Sequence, residues 1–191
     1  AEAGGNTTFT AGAIRFAYRG IDDLRELMPD LTEQEIATTD FGSYPEEDFF
    51  DDMARMTDYR TDPDMCELLV RRSRDTILWM RSKGVRFLPI YGRQAYKVDG
   101  KFTFWGGLTV ETSGGGPGLI EAWNAAAERE GIEILYGCRA TELIRDDDGV
   151  KGVEARYEGS TIRLYAKAVV LATGGFQANT EWRTRYLGPN W

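Results

Sequence analysis

The chain has 191 residues and a mass of 21.5 kDa, with 42% apolar and 28% charged residues, enough for a packed core and too apolar for intrinsic disorder. Thirty-one Asp and Glu stand against 23 Lys and Arg, a net charge of -8 with no basic cluster, which argues against nucleic acid and anionic membrane surfaces as partners. There is no histidine, so Ser-His and Cys-His nucleophile pairs, imidazole-ligated metals and histidine general bases are all excluded within this chain.

The first 20 residues form a stretch rich in Gly, Ala and Thr, and Ala1 to Asn6 show no charged-then-apolar signal pattern. Segment 21–60 then carries 13 acidic against three basic residues. Thr32 with Glu35 fits a capping box, and Pro45-Glu46-Glu47 reads as a first helical turn. Adjacent carboxylates on a helix do not face one another, so Asp22-Asp23, Glu46-Glu47 and Asp51-Asp52 read as solvated charge rather than catalytic dyads. The strongest predicted helix covers 63–83, with Asp62 as N-cap and Pro63 at the first position. Its apolar stripe is expected at Met65, Leu69, Thr76, Ile77 and Met80. Gly84 ends it, and VRFLPI follows as a short strand.

Segments 94–98 and 101–105 read as a hairpin about Asp99-Gly100. Pro117 opens a second helix with an apolar stripe at Leu119, Ile120, Trp123, Ala126 and Ala127. Gly131 closes it, and IEILYG is expected as a buried strand. RATELIRD, GVKGVEARYE and TIRLYAK, separated by Asp148-Gly149 and Gly159-Ser160, read as an antiparallel meander. The unbroken run AVVLAT is expected as a strand buried on both faces of a parallel sheet. Glu181 to Tyr186 form a short amphipathic helix with two arginines, which read either as a solvated pair or as a grip on a carboxylate. Cys66 and Cys138 read as structural thiols, without the pairs a disulfide scaffold or zinc site needs, which suits the cytoplasm.

Three glycine-rich sites are candidates for chemistry. Gly4-Gly5-Asn6-Thr7-Thr8 reads either as a turn or as an anion-holding loop. Residues 112–118, ahead of a helix, read either as a flexible connector or as a helix-start anion site; no Gly-Lys-Ser/Thr follows, so this is not a P-loop. Ala172-Thr173-Gly174-Gly175, after the apolar run, is the most specific, because small residues at the carboxyl edge of an open sheet admit a ligand. A Gly-x-Gly-x-x-Gly fingerprint after a strand is absent from the sequence.

In order, GGNTTFTAGAIRFAY, GGGPGLIEAWNAAAEREGIEILYGCRATELI, GVKGVEA and AVVLATGGFQANTEWRTRYLGP resemble the flavoprotein subunit family of fumarate reductase and succinate dehydrogenase, on the branch of FAD-dependent tricarballylate dehydrogenases. The resemblance spans nearly the whole chain. It implies an α/β fold: a partial FAD-binding domain of 1–20 and 107–191, with parallel strands and the meander, interrupted by a helical and hairpin insertion over 21–106. It implies that Gly4, Gly5, Asn6 and Thr7 lie in the loop that wraps the pyrophosphate and flavin, with Thr10, Ala11 and Gly12 continuing beside the isoalloxazine. It places Ala140 at the adenine, and Ala172, Thr173 and Gly174 near the adenosine end. The family's amino-terminal fingerprint and capping domain have no counterpart here, so the expectation is an internal fragment, inactive alone, without tightly held FAD and prone to self-association. The implied parent is an FAD oxidoreductase acting on a small di- or tricarboxylate, and no residue here is assigned to catalysis. A relative acting on a ketosteroid or aspartate, and a non-enzymatic acidic interaction module, are the alternatives.

Overall fold

The computed structural model describes residues 4–104 and 106–189; Trp105, the last residue of the expected hairpin, and Ala1 to Ala3 of the amino-terminal stretch lie outside them. The chain divides into two compact units, one up to Ile134 and one from Leu135.

The first unit begins with a 3-10 helix, Gly5–Phe9, followed by β1 (Ala13–Ile14), α1 (Ile21–Leu27), α2 (Glu33–Thr38) and β2 (Thr39–Asp40). Next come α3 (Glu46–Met56), α4 (Pro63–Ser82), β3 (Phe87–Pro89), α5 (Tyr91–Gln94), β4 (Ala95–Val98), β5 (Lys101–Phe104), β6 (Val110–Thr112) and α6 (Gly115–Arg129). Local chemistry sets most of these boundaries. Thr32 and Glu35 form the capping box in both directions, and the Asp62 carboxylate accepts from Met65 N–H at 3.0 Å. Helices α4 and α6 stop alike. Gly84 and Gly131 take left-handed φ values of 105° and 67°, and the next N–H reaches back to Met80 O at 3.2 Å in one case and to Ala127 O at 2.9 Å in the other.

β6 lies between β1 and β3, antiparallel to both, and β2 pairs parallel with β5, which forms the Asp99-Gly100 hairpin with β4. The core gathers Phe16, Tyr18, Leu24, Leu27, Val70, Ile77, Phe87 and Val110, all nearly inaccessible. The buried face of α4 agrees with the expected stripe at Ile77, which is buried, and at Met80, which packs against the core, and differs from it before them. Cys66 and Val70 turn inward, while Met65 and Leu69 are 63% and 51% exposed and Thr76 is exposed too. The smaller side chains allow close approach, and on that face Ser73 Oγ accepts from Ala17 N–H at 3.0 Å.

The second unit holds the meander β7 (Arg139–Asp146), β8 (Gly149–Tyr157) and β9 (Ser160–Tyr165), paired in sequence order, and then α7 (Thr180–Leu187), which Asn179 caps by accepting from Trp182 N–H. The two runs expected as buried strands are corrected. IEILYG and AVVLAT lie outside the strands, with Ile132 60%, Val170 88% and Leu171 65% exposed. A parallel strand is held by neighbours on its edges, and among the described residues neither run has a strand partner. Both Schellman-type stops, the hairpin and the meander need only nearby residues, and those form as expected. The chain is α/β, with an antiparallel meander beside helices and mixed sheets.

Candidate cofactor site

The first two glycine-rich segments are packed against each other. Thr7 N–H donates to Gly4 O and Thr10 N–H to Thr7 O, both at 3.1 Å, which coils Gly4 to Thr10 into the 3-10 turn. The Thr10 hydroxyl also donates to Thr7 O at 2.8 Å. Thr10 O then accepts from Gly116 N–H at 3.0 Å, and Gly12 O from Thr112 N–H at 2.9 Å. The joint needs bare backbone. A Cβ on Gly116 would sit 2.0 Å from Thr7 O and 2.8 Å from Thr10 O; one on Gly12 would sit 2.0 Å from Thr112 Oγ1. Gly12 also has φ 72°, a conformation glycine adopts without a side-chain clash.

Residues 112–118 are therefore not a free connector: Gly116 N–H at the start of α6 donates to Thr10 O, and Pro117 carries no N–H. The 3-10 turn also starts with donors that its own backbone does not use. Gly5 and Asn6 head it, so their N–H groups have no acceptor inside the helix. Gly5 and Asn6 are exposed, and nothing lies within 4 Å of the place a Gly5 Cβ would take. Gly4, Gly5, Asn6, Thr7, Thr10, Ala11 and Gly12 thus form one continuous rim, with Gly12 buried beneath it.

The other expected site residues belong to the second unit. Ala140 is exposed on edge strand β7, opposite Ala155 of β8, just before a register shift at Thr141. Ala172, Thr173 and Gly174 are exposed and follow the sheet in irregular backbone, with Gly174 at φ 71°.

One charged cluster escaped sequence reasoning. Asp52, expected as plain surface charge, accepts from Arg15 at 3.2 Å, Tyr44 OH at 2.8 Å and Arg55 at 2.7 Å. Arg15 lies over the Tyr44 ring, 5.0 Å from its centroid, and donates to Gly106 O. Gly107 makes room for that ring, since a Cβ there would lie 2.2 Å from Tyr44 Cγ. The only sequence signal was the Gly106-Gly107 pair, which names no partner. The Arg55 and Tyr44 hydrogen bonds hold the Asp52 carboxyl below its ordinary range, while burial first, and donation to Asp52 second, push the Tyr44 phenol up to about 12. The cluster should therefore give the stability profile two limbs. The Tyr44 contribution is complete below pH 10 and disappears as pH rises through about 12. The Asp52 contribution is present above pH 3.8 and disappears as pH falls through the lowered carboxyl pKa. Urea unfolding across pH, repeated with Asp52→Asn, checks this: the variant should lose the acid limb's Asp52 component.

A glycine rim fixed on an α/β core is the kind of arrangement that lets a nucleotide cofactor approach the backbone. The chain matches the FAD binding domain family over residues 2–190 and belongs to it, among the flavoproteins of the fumarate reductase and succinate dehydrogenase kind. It is similar to the fumarate reductase (cytochrome) of Shewanella frigidimarina, with 28% identity over 196 residues covering 98% of this chain and 29% of that protein. It is also similar to urocanate reductase of Eggerthella lenta, with 33% identity over 148 residues, 71% of this chain and 22% of that protein. Among solved structures, the open conformation of a flavocytochrome c3 fumarate reductase matches with a TM-score of 0.66 at 22% identity, over 95% of this chain and 29% of that one. The 3-ketosteroid-delta4-(5alpha)-dehydrogenase from Rhodococcus jostii RHA1 matches with 0.66 at 20% identity, over 94% and 40%. At these identities the structural likeness speaks for the fold alone. The chain spans less than a third of the length of the curated relatives it matches.

FAD is the cofactor of this family. The first unit fits part of it: the N–H groups of Gly5 and Asn6, which have no acceptor among the described residues, suit an anionic phosphate, and the space beside Gly5 lets a ligand approach the backbone.

Proposed function

We propose that this chain supplies part of the FAD-binding wall of an oxidoreductase acting on a small di- or tricarboxylate such as fumarate or tricarballylate. In this reading Gly4, Gly5, Asn6 and Thr7 face the pyrophosphate and ribityl chain. Thr10, Ala11 and Gly12 run beside the isoalloxazine, Ala140 meets the adenine through its backbone, and Ala172, Thr173 and Gly174 border the adenosine. The bound flavin supplies hydride transfer through its N5 to or from an adjacent carbon pair. The residues of this chain bind and orient, and none is given a hydride or proton role. The observation that carries the reading is the glycine rim, held on residues 112–116 through Thr10 O and Gly12 O. The carboxylate substrate rests on the similarity to a fumarate reductase. Among the described residues no helix is long and apolar enough to cross a membrane. Two free cysteines suit a reducing compartment, which is the ground for reading the protein as cytoplasmic.

Titrating FAD into the 191-residue chain, followed by flavin fluorescence, tests the cofactor reading. Reversible, saturable binding that is lost on gel filtration is the expected result, and no saturable change overturns it. Turnover of fumarate, tricarballylate, urocanate, aspartate and a ketosteroid by the complete gene product tests the substrate class; activity on neither fumarate nor tricarballylate overturns the reading.

The isolated chain is also read as self-associating. Val170 and Leu171 stand 88% and 65% exposed in backbone that pairs with no strand among the described residues, which leaves its donors and acceptors available for intermolecular pairing. Replacing both with lysine should shift sedimentation profiles toward monomer. An unchanged distribution, or a monomeric parent chain, counts against it.

A further inference from the structure

We propose that the solvent-facing side of α4 is an interaction surface for a second copy of this chain, which docks its own α4 there, antiparallel, about a twofold axis. The inference is independent of the FAD reading.

Helix α4 carries two stripes, and the core uses only one of them. Cys66, Val70 and Ile77 are buried. On another side of the helix Met65, Arg72 and Trp79 recur every seven residues, and Leu68 and Asp75 fall three residues after the first two. That is the spacing of a helix packed lengthwise against another helix. Yet Met65, Leu68, Leu69 and Trp79 are 63%, 54%, 51% and 52% exposed. Beside them runs a groove of about 510 Å³ between α4 and β1, lined by Ile14, Ile77 and Met80 among others. Seam and groove together make a contiguous apolar patch on the order of a few hundred Å², the size at which a patch marks an association site.

Charge selects the occupant. The seam holds one cation and one anion, Arg72 and Asp75, and their contact within the helix is loose: 3.8 Å, against 2.9 Å for the neighbouring Arg71–Glu67 pair. In a twofold interface, if one residue faces a second, the second also faces the first. An axis crossing antiparallel α4 helices between Ser73 and Arg74 sets position 72 opposite 75 and position 68 opposite 79, twice over. Each Arg72 then meets Asp75 of the second copy, and each Leu68 meets Trp79 of the second copy. An acidic foreign helix would be repelled at Asp75 and a basic one at Arg72, whereas the seam complements itself. An apolar seam of this size lies at the low end of specific interfaces, so the dimer is expected with a Kd on the order of 10 µM.

The test is analytical ultracentrifugation of the 191-residue chain carrying Val170→Lys and Leu171→Lys, so that pairing through that run does not contribute. This background chain should form a concentration-dependent dimer. Arg72→Asp and Asp75→Arg each set like charges against one another twice, and each should weaken the dimer at least about tenfold. Mixing these two variants should restore a dimer containing one copy of each, because their seams are then opposite in sign. Combining both exchanges in one chain should restore the homodimer. These side chains are 69% exposed, so circular dichroism and urea midpoints should match the background. A background chain that stays monomeric at about 100 µM leaves the seam to some other polypeptide and overturns the proposal. Single variants that dimerise as well as the background, or a mixture that stays monomeric, overturn it too. Since the 170–171 run is blocked throughout, failure here leaves the reading of that run untouched.

Discussion

Gly116→Ala should destabilise the first unit by about 2 kcal/mol and weaken FAD binding, although alanine is the better helix former. On an open helix the exchange would favour folding by roughly 1 kcal/mol. Here the added carbon meets Thr7 O at 2.0 Å and Thr10 O at 2.8 Å. Both are main-chain atoms of a hydrogen-bonded turn, so no side-chain rotation relieves the overlap. The turn must lift off α6, losing the Gly116 N–H bond to Thr10 O. Overpacking of this kind costs about 1–3 kcal/mol, and the lost bond adds about 1 kcal/mol. Gly92→Ala is the control: Gly92 lies in α5, with negative φ and nothing within 4 Å of its Cβ position. That exchange should be neutral or slightly stabilising. Urea midpoints for both variants, with FAD titrations alongside, decide the matter; equal midpoints would show that the joint between the turn and α6 is not tight.

Phe16→Ala should cost about 4 kcal/mol, a large share of the roughly 5–15 kcal/mol that keeps an ordinary domain folded. Phe16 is 1% exposed, and its ring centroid lies 5.5 Å from that of Tyr18. Tyr18 in turn donates to Phe41 O and shares a hydrogen bond with Thr109, each at 2.7 Å, so the surrounding wall has little freedom to collapse into the gap. Phe16→Leu keeps most of the volume and should cost less than about 1.5 kcal/mol. Denaturant unfolding of the two variants checks this. A Phe16→Ala midpoint no lower than that of Phe16→Leu would contradict the packing described.

What could be read from the amino acids alone follows the range of the interactions involved. The Thr32–Glu35 box, the Asp62 cap, the Gly84 and Gly131 stops, the Asp99-Gly100 hairpin and the meander are each decided within a few residues, and each formed. Strand character in 132–137 and 168–173 depends on hydrogen-bonding partners that composition does not supply, and there the apolar pattern alone misled. On α4 the pattern held two overlapping stripes. The one with larger residues looked stronger, but the core took the one whose Cys66, Val70 and Ser73 permit close approach. At the site, the resemblance marked the loop from Gly4 to Gly12, but not that residues 112–116 hold it up. Nor did sequence link Asp52 to Arg15 and Tyr44, since long-range pairs of single charges leave no local signature.

The joint between the turn and α6 is written mostly in atoms that every residue shares. Carbonyls of Thr7, Thr10 and Gly12 make its central contacts, and what their opposite numbers contribute is the lack of a side chain. Evolutionary drift should therefore be asymmetric across it. Positions 6 and 9, exposed on the turn, can change character and retune what the rim meets, while 12 and 116 stay invariant, so new ligand preferences would arise without the scaffold being rebuilt.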